Sequence, residues 1–362
     1  MTMQRIAIIG GGIAGLTVAR RRAVAGDQVV LFEAADRVGG QLSSELCNGL
    51  VVEHGAEGFL ARSEVVPPLA AEAGIADDII EQLEHTSFRY HDARLLELAP
   101  GEAARLLGFQ VSSDELGRGI RSFRLGMAEL PERLAKTLGD RVDIRLNSPV
   151  QSVAPSQHGV MLTGHDAQRH TFDSVVIAGT ARSAAELLGE ALGSPAQALQ
   201  DSARLSSLTV TLAFRRESIT HPLAGTGFIV PEPEQLGGVR AVTFTSSKLP
   251  HRAPADQALV RVFFRPSERD LQELSDGAWA ERAERGLTQA LGVSARHVQA
   301  FVSRWPDALP VFDDLHRARV SALESALDGQ RTWLAGAAFH GAGIDAAIRS
   351  AEQTAGRIAS RG

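Results

Sequence analysis

Two groups of glycines near the start of this 362-residue chain have a spacing that suits phosphate binding. Gly10, Gly12 and Gly15 form the pattern G-x-G-x-x-G between an apolar run and a helical pattern. The first glycine allows a tight turn, the second lets a pyrophosphate approach the backbone, and the third lets the helix pack on the strand. Glu33 ends the next apolar run, where a carboxylate can bind ribose hydroxyls. The alternative is a glycine-rich turn that binds no nucleotide.

The stretch after Glu33 adds an arginine and more bare backbone. In "EAADRVGGQLSS", Arg37 precedes Gly39 and Gly40. An arginine beside glycines suits a pyrophosphate that lies deeper inside the protein. The chain then closes on "WLAGAAFHGAGIDAAIRSAEQTAGRI", residues 333–358, which again has the pattern of a short strand, a glycine turn and an amphipathic helix. Similar units are therefore predicted at both ends of the chain.

Composition narrows the class of protein. The apolar fraction is 44%, charged residues make up 22%, and the net charge is −6, values that suit a globular enzyme and argue against nucleic acid or an anionic membrane as partner. The only cysteine, Cys47, forbids an internal disulfide and cannot build a metal site, so no metal is expected. No apolar run reaches membrane-spanning length. The expectation is a soluble, cytoplasmic protein without a transmembrane segment.

The elements alternate between two kinds of module. Unbroken apolar strands near the N-terminus predict a parallel sheet buried on both faces. Between residues 208 and 264, alternating strands separated by Pro and Gly predict an antiparallel sheet. The fold class expected is α/β (α+β overall), with a discontinuous nucleotide-binding domain into which a substrate domain is inserted. The predicted domains are 1–85, 140–182 and 306–362 for the first, and 86–139 and 183–305 for the second.

Glu33, Arg37, Gly39 and Gly40 fit the pattern E-x(3)-R-x-G-G without gaps. This pattern resembles the glutathione-reductase-type, Rossmann-like FAD-binding domain of the flavin amine oxidase and protoporphyrinogen oxidase superfamily. Three stretches are similar to the protoporphyrinogen oxidase family in particular: "SFRLGMAELPERLAKTL", "AVTFTSSKLPHRAPADQALVRVFF" and "RWPDALPVFDDLHRARVSALESAL". Matching segments extend from residue 5 to residue 358.

The resemblance implies FAD as the cofactor. It also implies that "GAGID", at the start of the last helix, directs backbone N–H groups toward the flavin ring. The residues expected to bind FAD are Gly10, Gly12, Ile13, Ala14, Gly15, Glu33, Ala34, Arg37, Gly39, Gly40, Gln41, Gly55, Ala56, Val150, Gly336, Gly343 and Ile344.

Amine oxidases of this superfamily place a lysine near flavin N5 and a tyrosine in the last helical turn. The corresponding positions are expected to be Val210 and Ile344, which disfavours amine oxidation. The implied chemistry is dehydrogenation, with hydride transfer to flavin N5 and reoxidation of the flavin by oxygen, the acceptor expected first, or by another acceptor. No catalytic side chain is required. His340 is a candidate proton relay, and the alternative is a packed structural histidine.

The chain also departs from the resembled family. It is shorter between residues 100 and 119, where relatives carry a helical membrane-binding subdomain. Ser87 or Thr86 stands where relatives often hold a porphyrinogen propionate with an arginine. Arg89, Arg94 or Arg124 could replace that arginine, or these could be surface charges. Candidates for an apolar substrate wall, with core packing as the alternative, are Phe228, Phe244 and Phe339.

Three functions stay open at this point. The first is a minimal protoporphyrinogen or coproporphyrinogen oxidase of haem (porphyrin) biosynthesis. The second is a related flavin oxidase or desaturase that acts on another small molecule, as in secondary metabolism. The third is a non-catalytic FAD-containing partner protein. The partner expected is a small-molecule substrate, with a porphyrinogen first, and a homodimer is left open as the assembly.

Overall fold

The computed structural model describes residues 3–106, 118–157, 159–232, 234 and 236–361. The described strands are β1 Arg5–Ile9, β2 Gln28–Phe32, β3 Ser44–Cys47, β4 Leu50–Glu53, β5 Phe59–Leu60, β6 Ile79–Glu81, β7 Ser87–His91, β8 Arg94–Glu97, β9 Ile120–Phe123, β10 Val142–Arg145, β11 Val150–Ser156, β12 Gly159–Gly164, β13 Arg169–Phe172, β14 Ser174–Ile177, β15 Arg204–Arg215, β16 Gly227–Ile229, β17 Val239–Thr243, β18 Gln257–Phe264, β19 Gln299–Pro310 and β20 Thr332–Leu334.

The described α-helices are α1 Ile13–Val24, α2 Val66–Glu72, α3 Glu102–Leu106, α4 Glu129–Leu138, α5 Ala181–Leu192, α6 Ser194–Gln200, α7 Thr245–Lys248, α8 Glu268–Glu273, α9 Asp276–Leu291, α10 Asp314–Ala326, α11 Ala337–His340 and α12 Ile344–Arg361. Short 3₁₀ turns cover Ala76–Asp78, Gly139–Arg141 and Arg216–Ser218. Among the described helices, none is both long enough and apolar enough to span a membrane.

A five-stranded parallel sheet, in the order β10-β2-β1-β14-β20, forms the first unit. Successive residues of β1 enter two different cores. Ile6 and Ile8 pack in the cluster that holds α1 and α12, whereas Ala7 packs in the cluster that holds β11–β13 and α5. Because both faces are covered, both strand faces are apolar, as the unbroken apolar runs predict. The Rossmann-like fold class is confirmed.

A seven-stranded sheet, in the order β19-β15-β18-β17-β16-β7-β8, forms the second unit. Its neighbouring strands are antiparallel except for β16 and β7, which run parallel. One face carries Val210, Val242 and Val262, which pack with Trp279 of α9 in one apolar cluster. The inserted sheet is therefore present, and the parallel pair is a feature that the strand pattern did not predict.

The parts of the chain divide between the units differently from the predicted domains. Helix α4 lies within predicted substrate domain 86–139, but its Leu130 and Leu134 pack in the core of α1 and β1. Helix α5 crosses the predicted boundary at residue 183, and α6 lies beyond it. Ala184 of α5 and Leu199 of α6 nevertheless pack beneath the parallel sheet. The apolar faces of these amphipathic helices thus complete the first unit.

Candidate functional site

The first glycine loop has the geometry that a phosphate cradle needs. Gly10 has φ +112°, and a Cβ there would lie 2.8 Å from the Ala178 carbonyl oxygen. A Cβ at Gly15 would lie 1.9 Å from the Gly10 carbonyl oxygen, so the third glycine lets α1 pack on its own turn. At Gly12 no atom lies within 4 Å of an added Cβ. The middle glycine therefore presents open backbone at the start of α1, which fits a pyrophosphate.

The second glycine loop lies directly against the first. Gly12 and Gly39 form a parallel backbone bridge, and Gly39 N–H donates to the Gly11 carbonyl oxygen at 2.8 Å. A Cβ on Gly40 would lie 3.5 Å from Gly12 Cα. Gly39 and Gly40 have φ of +107° and +55°, the left-handed region that glycine adopts without strain. The two sequence motifs thus form one surface of bare backbone.

Glu33 and Arg37 fix these loops. The Glu33 carboxylate accepts from Gly11 N–H at 2.6 Å and from Ala35 N–H at 2.8 Å. Arg37 donates to the Gly40 carbonyl oxygen at 2.9 Å. The guanidinium therefore holds its own loop closed, and the carboxylate stands at the end of β2 as predicted for a ribose ligand.

Other residues predicted to bind FAD surround the loops. The Gly55–Ala56 segment runs beside the second loop, since a Cβ on Gly55 would lie 1.7 Å from the Gln41 carbonyl oxygen, which accepts from Ala56 N–H. Val150 begins β11 just after Ser148, whose N–H donates to the Glu33 carbonyl oxygen. The first turn of α1 and the residue after Glu33 supply the others, Ile13, Ala14 and Ala34.

The C-terminal glycine unit returns to the first helix. Gly336 has φ +120°, and a Cβ there would lie 3.4 Å from Ala14 Cβ. Its N–H donates to Ser350 Oγ at 2.9 Å. Gly343 has φ +93° with no atom within 4 Å of an added Cβ, and Ile344 begins α12. The structure therefore brings both ends of the chain to one place.

His340 is tied to its own unit through both ring nitrogens. Nδ1 lies 2.7 Å from Ser350 Oγ, and Nε2 lies 3.0 Å from Glu324 Oε1. The hydrogen bond from His340 holds the pKa of the Glu324 carboxyl below its ordinary value. These contacts join α10, α11 and α12, so the geometry favours the structural alternative for this histidine.

Arg261 connects the seven-stranded sheet to the predicted cofactor segment. Its Nη2 donates to the carbonyl oxygens of Gly55 at 2.8 Å and His54 at 3.2 Å, and it lies 3.3 Å from Thr209 Oγ1. Arg261 is 3% exposed. Burial lowers the pKa of its guanidinium, although Glu57 and Glu53 oppose that effect. Thr209 and Arg261 therefore mark the sheet face that adjoins the glycine loops.

The pKa values of two buried glutamates near Arg261 shift in opposite directions. Burial raises the pKa of Glu57, but Lys248, at 2.8 Å, and the nearby arginines outweigh burial, so its pKa lies below the ordinary value. At Glu53 burial prevails over Arg252, 3.5 Å away, and over the hydrogen bonds from Ser44 and Met127, so its pKa is raised.

The sequence analysis missed this group of Glu53, Glu57, Lys248, Arg252 and Arg261. The available signal was a charged residue inside an apolar run, as in "VVEHG" and "LVRVFF". Charged side chains in such runs are buried only when they are paired. Periodicity alone does not identify their partners, because these come from distant segments.

The predicted apolar wall is not assembled. Phe228 and Phe244 are 2% and 0% exposed in the cluster of the seven-stranded sheet. Phe339 packs in a different cluster, below the parallel sheet. Core packing, the alternative for these rings, agrees with their burial, and each fills a core rather than an open face.

The position expected to correspond to the amine oxidase lysine lies on the face of the sheet turned away from the glycine loops. Val210 pairs with Val262 and lies on the sheet face that packs against α9. Alternate residues of a strand point to opposite faces, so the neighbouring Thr209, which contacts Arg261, is directed toward the glycine loops. Val210 therefore faces away from the glycine loops, and the residue before it faces toward them.

The candidate arginines differ in environment. Arg124 is exposed. Its Nη1 lies 3.0 Å from His251 Nε2 and its Nε lies 3.8 Å from Asp78 Oδ1, contacts that are typical of a surface charge. Arg94 is exposed at the start of β8. Arg89 is half-buried on β7. Within the described ranges, no ion pair or side-chain hydrogen bond is formed by Arg89.

Arg89 lies on the same sheet face as Arg261. A row of directly paired residues crosses the sheet from Thr209 to Phe263, Ala241, Ile229 and Arg89. Paired residues share a face, so this row ends in a guanidinium at the sheet margin. Four strand spacings separate Thr209 from Arg89, which is about 19 Å.

One surface group has side chains that could hold a metal. Atoms of His91, Asp92 and Glu234 lie within 4.8 Å of one another. However, Glu234 contacts Nδ1 and Asp92 faces Nε2 of the same ring. Each ring nitrogen of His91 thus has a carboxylate neighbour, and the group forms two histidine–carboxylate contacts.

The chain matches two family models. The model of flavin containing amine oxidoreductases covers residues 96–359, and that of NAD(P)-binding Rossmann-like domains covers residues 8–73. The coproporphyrinogen III oxidase of Mycobacterium tuberculosis (strain ATCC 25618 / H37Rv) is 25% identical, over 97% of this chain and 96% of the relative. That alignment extends over 444 residues, so the relative carries segments that this shorter chain lacks.

Solved structures share the fold. A provisionally named protoporphyrinogen oxidase from Exiguobacterium sp. 255-15 superimposes with a TM-score of 0.85 at 22% identity, over 100% of both chains. Putrescine oxidase with bound putrescine has a TM-score of 0.72 at 18% identity, over 99% of this chain and 100% of the other. The chain therefore belongs to the flavin-containing amine oxidoreductase family, as an FAD-dependent oxidase related to the porphyrinogen oxidases.

Proposed function

We propose that this protein dehydrogenates a porphyrinogen, with coproporphyrinogen III as the first candidate, by hydride transfer to flavin N5 and with oxygen as final acceptor. The observation that carries the proposal is Arg89. It stands half-buried, without a described partner, at one end of a sheet face whose other end adjoins the glycine loops. A porphyrinogen is a broad apolar macrocycle with carboxylates at its rim, so it needs a wide face and a cation at the margin.

FAD, when bound, supplies the hydride acceptor. In this proposal the residues around Gly12 and Gly39 hold its pyrophosphate, and Glu33 meets a ribose. The Gly55–Ala56 segment, whose Gly55 carbonyl Arg261 holds, borders the ring. The sheet face from Thr209 to Ile229 excludes water and orients the macrocycle, and Arg89 binds a rim carboxylate. The relatives' names agree with this substrate class.

A different small-molecule substrate is the second candidate. The observation that favours this candidate is the length of the chain. The chain lacks segments of the 444-residue alignment and so offers fewer residues to build a substrate channel. A carboxylate-bearing substrate smaller than a porphyrinogen would use the same sheet face and Arg89.

The deciding experiment mixes the FAD-loaded protein anaerobically with coproporphyrinogen III and, separately, with protoporphyrinogen IX. Rapid bleaching of the flavin band, followed by porphyrin fluorescence when oxygen is admitted, supports the proposal and distinguishes the two substrates. If the protein holds FAD but neither compound reduces the flavin, the second candidate becomes the favoured function. Protein that does not retain FAD contradicts both.

A further inference from the structure

His54 joins a buried serine to a surface carboxylate. Its Nδ1 lies 2.7 Å from Ser303 Oγ, and its Nε2 lies 3.0 Å from Glu45 Oε2. The exposed fractions increase along this chain of groups: 8% for Ser303, 24% for the His54 side chain and 45% for the Glu45 side chain. The three residues therefore form a continuous hydrogen-bonded connection between the protein interior and solvent.

The inner end of this connection lies on the face proposed for substrate. Ser303 pairs directly with Thr209, so its side chain shares the face of the row that ends at Arg89. Thr209 in turn contacts Arg261, which holds the His54 and Gly55 carbonyl oxygens. Ser303 is thus placed where that face meets the cofactor segment.

The backbone around His54 is fixed on three sides. Its N–H donates to the Ser43 carbonyl oxygen at 2.8 Å, and its carbonyl oxygen accepts from Trp305 Nε1 at 2.7 Å as well as from Arg261. A fixed backbone limits the ring to few orientations, so the contacts to Ser303 and Glu45 are preorganised.

The hydrogen-bond partners of the His54 ring favour one tautomer. Glu45 of β3 faces Nε2, and Arg261 of β18 faces the carbonyl oxygen rather than the ring. The nearby carboxylates of Glu53 and Glu57 bind other groups, Ser44 and Lys248 respectively. A neutral ring that donates from Nε2 to Glu45 and accepts at Nδ1 from the Ser303 hydroxyl satisfies both contacts.

We propose that Ser303, His54 and Glu45 carry protons between the substrate face and solvent, a proposal that rests on the proposed oxidase function. Dehydrogenation removes a hydride and a proton from the substrate. As the hydride leaves for the cofactor, the Ser303 hydroxyl accepts the substrate proton and gives its own proton to His54 Nδ1. His54 then releases its Nε2 proton to Glu45, and Glu45 releases it to water.

Reoxidation restores the starting state. Reduction of oxygen to hydrogen peroxide returns the two electrons and the hydride hydrogen and consumes one further proton. That proton enters through Glu45 and His54 Nε2, His54 Nδ1 returns its proton to Ser303, and Ser303 gives its own hydroxyl proton to the oxygen that becomes hydrogen peroxide. The ring regains its first tautomer, and one cycle leaves the three side chains unchanged.

The test uses the FAD-loaded protein with His54→Ala and Ser303→Ala, and with His297→Gln as control. His297 also contacts a glutamate, Glu284, at 2.6 Å. Replacing His297 therefore removes a His–Glu contact of the same kind at a site outside the proposed Ser303–His54–Glu45 proton relay. We expect His54→Ala to slow flavin reduction by coproporphyrinogen III by about 100-fold and to be rescued by added imidazole, whereas the control keeps the rate. Ser303→Ala should lower the rate without imidazole rescue.

Two further measurements separate this inference from the proposed function. Photoreduced flavin mixed with oxygen follows reoxidation without substrate, and its pH dependence should differ between the wild-type protein and His54→Ala. That result would support the relay even if porphyrinogens fail to reduce the wild type. Histidine ¹⁵N NMR of the cofactor-free protein should show a proton on Nε2 of His54. Unchanged rates and pH profiles in both half-reactions, or a proton fixed on Nδ1, would overturn the inference.

Discussion

Glu57 and Lys248 form a 2.8 Å ion pair between the segment after β4 and helix α7. Their side chains are 9% and 14% exposed, and the pair joins the parallel-sheet unit to the seven-stranded sheet. Thr245 Oγ1 lies 3.3 Å from the same carboxylate. The contact fixes the Gly55–Ala56 segment next to Arg261, so the junction between the two units depends on paired buried charges.

Removal of the Lys248 charge should therefore destabilise the whole protein. We expect Lys248→Met to lower the free energy of unfolding by about 3 kcal/mol, because it leaves Glu57 buried without its closest cation. Lys136→Met is the control, since Lys136 is the only other lysine and is exposed in the last turn of α4. Its effect should stay within about 0.5 kcal/mol in urea unfolding. Equal losses would contradict a stabilising ion pair.

The pH dependence of stability should identify Glu57. Because its pKa is lowered in the folded protein, the unfolded chain binds the proton more readily. The stabilisation contributed by ionised Glu57 is therefore fully present above pH 4.5, the ordinary pKa of a glutamate, and is lost as the pH falls through the lower pKa of the folded protein. Glu57→Gln should unfold more easily at neutral pH and should lose less additional stability in acid than the wild type.

Glu53→Gln serves as the comparison, because burial raises the pKa of Glu53, which is the opposite direction to that of Glu57. At neutral pH, Glu53→Gln should lower the free energy of unfolding by less than Glu57→Gln does. If thermal unfolding from neutral to acidic pH shows the reverse order, the opposite pKa shifts of these two glutamates are contradicted.

The glycines of the first loop should separate FAD binding from folding. At Gly12 an added methyl meets no protein atom, so Gly12→Ala should fold normally in the cofactor-free form and bind FAD at least about tenfold more weakly. Gly15→Ala should lose both properties, because its methyl would lie 1.9 Å from the Gly10 carbonyl oxygen.

Thermal unfolding of the apoproteins and FAD titration would measure both effects. Gly189→Ala, on helix α5 with open space around its Cβ, is the control and should be stabilised by up to about 1 kcal/mol. Unchanged FAD affinity in Gly12→Ala would exclude this backbone as the pyrophosphate site.

The contacts of His340 predict a structural effect. His340→Gln should reduce stability by about 1 kcal/mol, since it weakens the hydrogen bonds to Ser350 and Glu324. The rate of flavin reduction per bound FAD should stay within about twofold, because catalysis by a positioned acid or base would contribute far more. A large loss of rate at full FAD occupancy would instead support His340 as the proton relay that the sequence offered as a candidate.

The proposed substrate carboxylate provides a test of Arg89. Arg89→Leu should raise the KM for coproporphyrinogen III by about tenfold, with a smaller change in kcat, because it removes a charge-assisted hydrogen bond remote from the reacting atoms. Arg94→Leu, on exposed strand β8, is the control. A lowered kcat with unchanged KM would argue against a binding function.

Sequence spacing alone determined the cofactor module. Gly10, Gly12 and Gly15, and later Gly39 and Gly40, are required by local backbone geometry. Such constraints act within a few residues and leave a pattern that can be read without a structure. Unbroken apolar runs likewise predicted a parallel sheet, since burial on both faces demands them.

Tertiary structure decided the chemistry around that module. The partners of His54 and Glu57 are Ser303 and Lys248, each about 190 or more positions away in the chain. Hydrogen bonds and ion pairs depend on distance in space, which strand order and register set. Val210 and Thr209 show the same limit: their alternation between the two strand faces could be read from the sequence, but which face meets the glycine loops depended on how the two sheets pack.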